Sequence, residues 1–190
     1  MLFGSVKTLL EELLGSRRID LTLKQIIQRL PQVILMQLRK GITGFCNVDD
    51  PPLTKCNLAT FRALCYDAVR MVGGRILNHD RRPNEIEASF QMIVLELRGV
   101  QRAVLINNHF PIIGFAVPPN DGDTGPLQFI DCDELGNLFR ASGQYEVVSQ
   151  EELERAVGQN DLEQLLPEEI EQVVYWQPRR VGDVIFNFWD

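Results

Sequence analysis

SFQMIVLELRGVQRAVLIN, residues 89–107, carries two apolar runs joined at Arg98–Gly99. Ser89 to Leu97 is rich in apolar and β-branched residues. Beyond the turn, Val100, Arg102, Val104 and Ile106 alternate with Gln101, Ala103, Leu105 and Asn107, the period of a strand. Two strands around so short a turn pair as an antiparallel hairpin. Asn107 and Asn108 interrupt the second strand. Ile112 to Val117 and Leu127 to Cys132 then add two strand-like runs across the loop Pro118 to Pro126. A meander of about four strands is the simplest topology, and Tyr145 to Val148 offers a fifth.

Upstream of this sheet the period changes to that of helices. Behind Asn57, the residues Leu58, Phe61, Cys65, Ala68 and Val72 share one face, and Gly73 with Gly74 ends the run. The stretch 41–55, with Gly44, Asp49, Asp50, Pro51 and Pro52, is loop chemistry. Val6, Leu9, Leu10, Leu13 and Leu14 predict a first amphipathic helix between Ser5 and Gly15. Leu23, Ile26, Ile27 and Leu30 predict a second behind the Thr22–Gln25 capping signature. Val33 to Leu38 is apolar all round and reads as core, closed by Arg39, Lys40 and Gly41.

Downstream, Ser149 and Glu152 form a capping signature for a helix through Val157, and helical character continues from Asp161 towards Val174 with Pro167 starting a new turn. Val181, Val184, Ile185 and Phe188 fit a helical stripe, while Val184, Phe186 and Phe188 alternate as a strand would. Asp183, favourable in a first turn, favours the helix. Trp176, Phe186, Phe188 and Trp189 make this end too apolar to dangle in water and predict packing onto the sheet; an aromatic patch for a partner is the alternative. The fold class is therefore α+β: an N-terminal layer of three to four helices, an antiparallel sheet of four to five strands, then C-terminal helices. At 190 residues one domain, 1–190, is expected, with a possible subdivision into a helical 1–74 and a 75–190 of sheet plus C-terminal helices.

Charge divides the chain near that same junction. Residues 1–75 hold 11 Lys and Arg against 6 Asp and Glu, a net +5, whereas 76–190 hold 8 against 20, a net −12. A total of −7 disfavours a large phosphate-binding surface, so nucleic acid is not the expected partner. No apolar run approaches 18 residues, and the four cysteines lack short paired spacing; a soluble, reducing, cytoplasmic setting without membrane insertion is expected.

The leading functional expectation is a non-enzymatic cytoplasmic binding or accessory protein whose acidic second part engages a basic protein partner. Asp121, Asp123, Asp131, Asp133 and Glu134 form its densest non-helical acidic cluster and are the partner-binding candidates. Self-association, head to tail between the positive and negative parts, is the related possibility.

The alternative is a thiol hydrolase. A thiolate nucleophile needs an imidazole within hydrogen-bond reach and a third polar group to orient the ring. Cys46, Cys56 or Cys65, then His109, then Asp131 follow the order that papain-like hydrolases use, and the triad read from it is Cys65, His109 and Asp131. Against it, Cys65 shares the apolar face of its helix with Phe61 and Ala68, where a cysteine acts as a small hydrophobe. A metal site would draw on Asp121 and Asp123 with Asp131, Asp133 and Glu134. The loop nevertheless has Gly125 where a calcium loop wants a third oxygen and Pro126 where it wants glycine, so a polar turn is the simpler account. No cofactor or metal is expected.

Overall fold

The computed structural model describes residues 36–47, 49–78, 88–120 and 125–189. Helix α1 is Leu58–Met71, and the strands are β1 (Arg75–Asn78), β2 (Phe90–Leu97), β3 (Val100–Asn107), β4 (Ile112–Val117) and β5 (Gln128–Ile130). Helix α2 (Asp133–Ala141) and the short strand β6 (Glu146–Val147) follow. The chain then continues through α3 (Gln150–Glu154), α4 (Gln159–Leu162), α5 (Pro167–Trp176) and α6 (Val181–Ile185).

The sheet runs in the order β1-β2-β3-β4-β5, with each neighbouring pair antiparallel. The β2–β3 hairpin pairs in unbroken register from Phe90↔Asn107 to Leu97↔Val100, and its turn places Arg98 and Gly99 at positive φ. Strand β6 adds parallel pairing at Ile112 and Ile113, so β5 and β6 share the outer edge of β4 end to end. The chain is α+β with six strands in one sheet. The strand that the alternation did not suggest is β1.

Among the described residues a single helix stands before the sheet. The helices expected over residues 6–14 and 23–30, and the start of the apolar segment at 33–35, lie outside the described residues. Within them, one helix precedes the sheet, α2 lies between β5 and β6, and four follow, so a layer of three to four N-terminal helices is not what the described residues form. Met36 and Leu38 are buried as their composition predicted, but from non-helical backbone that leads into a turn at Lys40–Thr43.

Burial explains why β2 and β3 are apolar at nearly every position rather than at every second one. Ile93, Leu95, Val104, Ile106, Ile113 and Phe115 face a core shared with Phe61, Cys65, Ala68 and Val69 of α1 and with Leu135 and Phe139 of α2. Phe90, Met92, Val94, Ala103, Leu105 and Ile112 face a second core shared with Leu38, Ile42, Leu153, Val184, Ile185 and Phe186. An antiparallel sheet covered on both faces loses the apolar-in, polar-out alternation of a one-sided sheet.

The local starts and stops follow their residues. Asn57 caps α1, its Oδ1 accepting the Thr60 N–H at 3.1 Å, and Ser149 caps α3 by accepting the Glu152 N–H at 3.3 Å. Pro167 opens α5, and α6 resolves the ambiguous C-terminal stretch as a helix that stops at Ile185. After α1, Gly74 brings the chain so close to β2 that a Cβ would lie 2.7 Å from the Glu96 carbonyl oxygen and 2.3 Å from Leu97 Cδ2. The Gly73–Gly74 pair thus seats the helix end against the sheet.

Candidate functional site

Where β3 ends, three stretches without regular structure meet over buried polar side chains. Asn107 is wholly buried. Its Nδ2 donates to the carbonyls of Ile42 (2.9 Å) and Ile185 (2.7 Å), while its Oδ1 accepts from the N–H groups of His109 (2.9 Å) and Phe110 (3.0 Å). Asn187 donates to the Thr43 and Val184 carbonyls, and its own N–H donates to Ser89 Oγ. Ser89 Oγ in turn donates to the Ile185 carbonyl. Buried amides and hydroxyls satisfied in this way hold loops in place, because each broken bond leaves an orphaned polar group.

Glu169, at the third position of α5, completes the junction. Its side chain is wholly buried, with no cation bonded to it among the described residues. Oε1 accepts from the Thr43 N–H (3.0 Å) and the Thr43 hydroxyl (2.7 Å), and Oε2 accepts from the N–H groups of Gly41 (2.7 Å) and Leu166 (2.9 Å). One carboxylate thereby caps its own helix and fixes residues 41–43.

A cleft of about 660 Å³ opens on this junction, with Gly44, Cys46, Lys55, Asn108, His109 and Trp189 among its walls. That volume lies within the range of small-molecule sites, about 300–1,000 Å³. His109 Nδ1 is 3.2 Å from the Thr54 carbonyl oxygen. A carbonyl only accepts, so Nδ1 carries the proton and the neutral ring keeps a lone pair on Nε2. Burial pushes the His109 pKa below its ordinary value, and Lys55 pushes the same way; the bond to Thr54 and the charge of Glu169 act in the opposite direction. Nε2 faces the chain at Gly44, where a Cβ would sit 3.4 Å away and where φ is +90°. The left-handed φ is what favours glycine there.

All four cysteines are free thiols. Cys46 is half-buried in the cleft wall. Cys56 lines a separate cleft of about 230 Å³ with Pro111 and Tyr145, and burial raises its pKa. Cys65 is completely buried between α1 and the sheet, and burial raises its pKa further still.

The three residues of the Cys65, His109, Asp131 triad have separate surroundings. Cys65 sits in the apolar layer of α1, the His109 ring bonds Thr54, and Asp131 Oδ1 accepts the Gln150 N–H at 2.8 Å. No hydrogen bond joins any two of them among the described residues. The thiol that shares the cleft with His109 is Cys46.

Of the acidic partner-binding candidates, Asp121 and Asp123 lie outside the described residues. Glu134 bonds Arg98 at 2.6 Å, and Asp133 stands with it in the first turn of α2, where negative charge offsets the helix dipole. A different acidic surface continues along the C-terminal helices, where Glu151, Glu163 and Glu171 are exposed with no ion-pair partner among the described residues. Glu171 lies one turn before Val174 and Tyr175 on α5. Val174, Tyr175 and Trp176 are 67%, 76% and 40% exposed, and the two rings meet edge to face at 5.2 Å. The aromatic C-terminal end thus divides: Phe186 and Trp189 are core, whereas Trp176 is surface.

Glu169, Asn107, Asn187, Ser89 and Thr43 escaped the sequence reading. The signal for Glu169 was its place two residues after Pro167, the third position of a helix, from which a Glu reaches back to cap. Nothing in the sequence marks the others.

No protein family matches the chain, and no curated protein or solved structure does. Among the described residues no helix is long and apolar enough to cross a membrane.

Proposed function

We propose that this chain is a binding protein that engages a basic protein partner through the acidic surface of its second part. The observation that carries the reading is the end of α5, where Val174, Tyr175 and Trp176 are exposed in succession beside the carboxylate of Glu171, which has no ion-pair partner among the described residues. Large apolar side chains in water are costly, and Tyr and Trp dominate the energetics of interfaces. Their acidic setting selects the partner: a basic segment with an apolar residue of its own meets both the rings and the carboxylates, whereas an acidic one is repelled. Asp131, Asp133 and Glu134 add negative charge elsewhere on the second part, with Glu134 paired to Arg98.

Affinity capture on the full chain tests this, with retained proteins identified by mass spectrometry and then purified for rate measurements. The reading expects a basic protein whose association slows steeply between low and physiological salt. Tyr175→Ala or Trp176→Ala should each weaken binding by about 2 kcal/mol, about 30-fold, the size of an interface hot spot. Glu163→Lys with Glu171→Lys should slow association. Retention unchanged by both sets of variants, or a rate indifferent to salt, refutes it.

A further inference from the structure

We propose that copies of this chain associate head to tail, with Tyr175 and Trp176 of one copy seated in the groove between α1 and β1 of the next. The proposal rests on the α5 surface being an interface, as argued above, and names a second copy of the chain as a partner for it.

The chain carries both halves of such a contact. One is the end of α5, an aromatic knob in which the Tyr175 and Trp176 rings meet edge to face in water. The other is a groove of about 320 Å³ with apolar walls from Tyr66, Val69 and Ile76 and with Asp67, Arg70 and Arg75 around it. Met71 is 71% exposed and adds apolar surface at the end of the same helix. Single exposed apolar residues are ordinary, but an aromatic pair and an apolar groove on one chain are complementary in shape as well as in polarity.

Charge decides which surface meets which. Glu171 beside the knob has no ion-pair partner among the described residues. At the groove, Arg70 meets Asp67 only at 3.5 Å and Arg75 meets Glu96 at 3.0 Å, with the two arginine side chains 84% and 70% exposed. Ion pairs so exposed are weak, so either guanidinium can turn to a new carboxylate. Knob against groove brings Glu171 to these arginines. Knob against knob would set Glu171 against its own copy, and groove against groove would leave both grooves without an apolar side chain to fill them. The contact is therefore heterologous rather than two-fold. It is also intermolecular, because α1 packs on one face of the sheet and α5 on the other, so the two halves of one copy face away from each other. Each copy keeps one half unused, and the assembly grows until it closes into a ring or continues as a filament.

Sedimentation velocity on the full chain across a concentration series tests this. The sedimentation coefficient should rise with concentration, and the rise should shrink as salt screens the carboxylate–arginine contacts. A knob variant, Tyr175→Ala with Trp176→Ala, and a groove variant, Arg70→Glu with Arg75→Glu, should each weaken association by about 30-fold or more, the size of an interface hot spot. Mixed in equal amounts, the two variants should form a dimer that does not grow, since the intact groove of one receives the intact knob of the other. A mixture that stays monomeric while both variants are folded by circular dichroism overturns the proposal. Should the groove variant fail to fold, the wild type still decides: a coefficient that does not rise with concentration, or a rise that the knob variant leaves unchanged, overturns it. A monomeric wild type that still captures a basic protein through Tyr175 and Trp176 refutes this inference and leaves the reading above standing. Head-to-tail association with no basic protein captured refutes that reading and supports this one.

Discussion

Replacing Glu169 with Gln changes one atom of a side chain that holds four bonds and should cost much of the stability of the fold. The amide has two ways to sit. With its NH₂ towards Gly41 and Leu166, two donors meet two donors. With its oxygen there instead, the NH₂ can donate to the Thr43 hydroxyl, and a single N–H, that of Thr43, is orphaned. The second arrangement is the cheaper. It leaves one buried N–H unsatisfied, at about 1–3 kcal/mol, and turns three charge-assisted bonds into neutral ones, at about 1 kcal/mol each. Against this, burying a neutral amide avoids part of the several kcal/mol of desolvation that a carboxylate carries. The net expectation is a loss of about 2–4 kcal/mol, out of a total of about 5–15 for an ordinary domain. For a chain of this length that is a fall in Tm of about 4–16 °C. Urea unfolding followed by circular dichroism measures it directly as a shift in midpoint at constant slope. Glu169→Ala, which orphans every donor, should cost more than Gln, and Glu168→Gln, at the partly exposed neighbouring position, should stay within about 0.5 kcal/mol of wild type. If Glu169→Gln also lies within about 0.5 kcal/mol, the carboxylate is not the clamp described here.

His109 sets a pH dependence. Its folded pKa lies below the unfolded value of about 6.5, so the unfolded chain binds the proton first, and stability is full above that pH and falls as the pH drops towards the folded pKa. Burial is the main cause of the shift; of the charged groups, Lys55 adds to it and Glu169 opposes it. Thermal melts from pH 7.5 to 5.0 should show this decline, and the same series on His109→Asn should be flatter; parallel curves would contradict it. Gly74→Ala puts a Cβ 2.7 Å from a main-chain oxygen that cannot swing aside. A loss of about 1–3 kcal/mol is expected from such overpacking, measured by the same urea titration, and a neutral or stabilising result would show that α1 is not seated as closely as this.

Much of the architecture was legible because it rests on local signals. The hairpin at Arg98–Gly99, the Asn57 and Ser149 caps, Pro167 at the start of α5 and the helix over Val181–Ile185 all depend on residues within a few positions of one another. Helix α2 was missed although Leu135, Leu138 and Phe139 share a face behind Asp133 and Glu134; only nine residues long, it was overshadowed by the neighbouring strand-like and turn residues. Strand β1 is four residues, mostly exposed, and carries no alternation to read. The candidate site was legible only in its chemistry. His109 and the three cysteines were nameable, but which thiol shares space with the ring depends on contacts between segments some sixty residues apart, such as Asn107 with Ile42. Periodicity placed Cys65 correctly on a buried face, and burial is the property that separates it from the cleft.

The junction of buried polar groups links these themes. The two apolar cores hold the sheet between its layers, yet apolar packing is non-directional and does not by itself fix where three irregular stretches come to rest. Residues 41–46, the turn after β3 and the C-terminal residues 186–189 have few regular backbone partners, so their N–H and C=O groups must be matched one by one. Asn107, Asn187, Thr43 and Glu169 do this with side chains that each make two or more bonds, and Ser89 holds the C-terminal stretch at both Ile185 and Asn187. A helix laid across the same place would satisfy most of its own backbone. Because side chains do the matching here, the surface stays open, and the cleft with Cys46 and His109 lies where the fold is held by specific polar bonds rather than by continuous secondary structure. The same bonds that close the fold therefore hold the walls of the cleft, Glu169 through Thr43 and Asn187 through the Thr43 carbonyl.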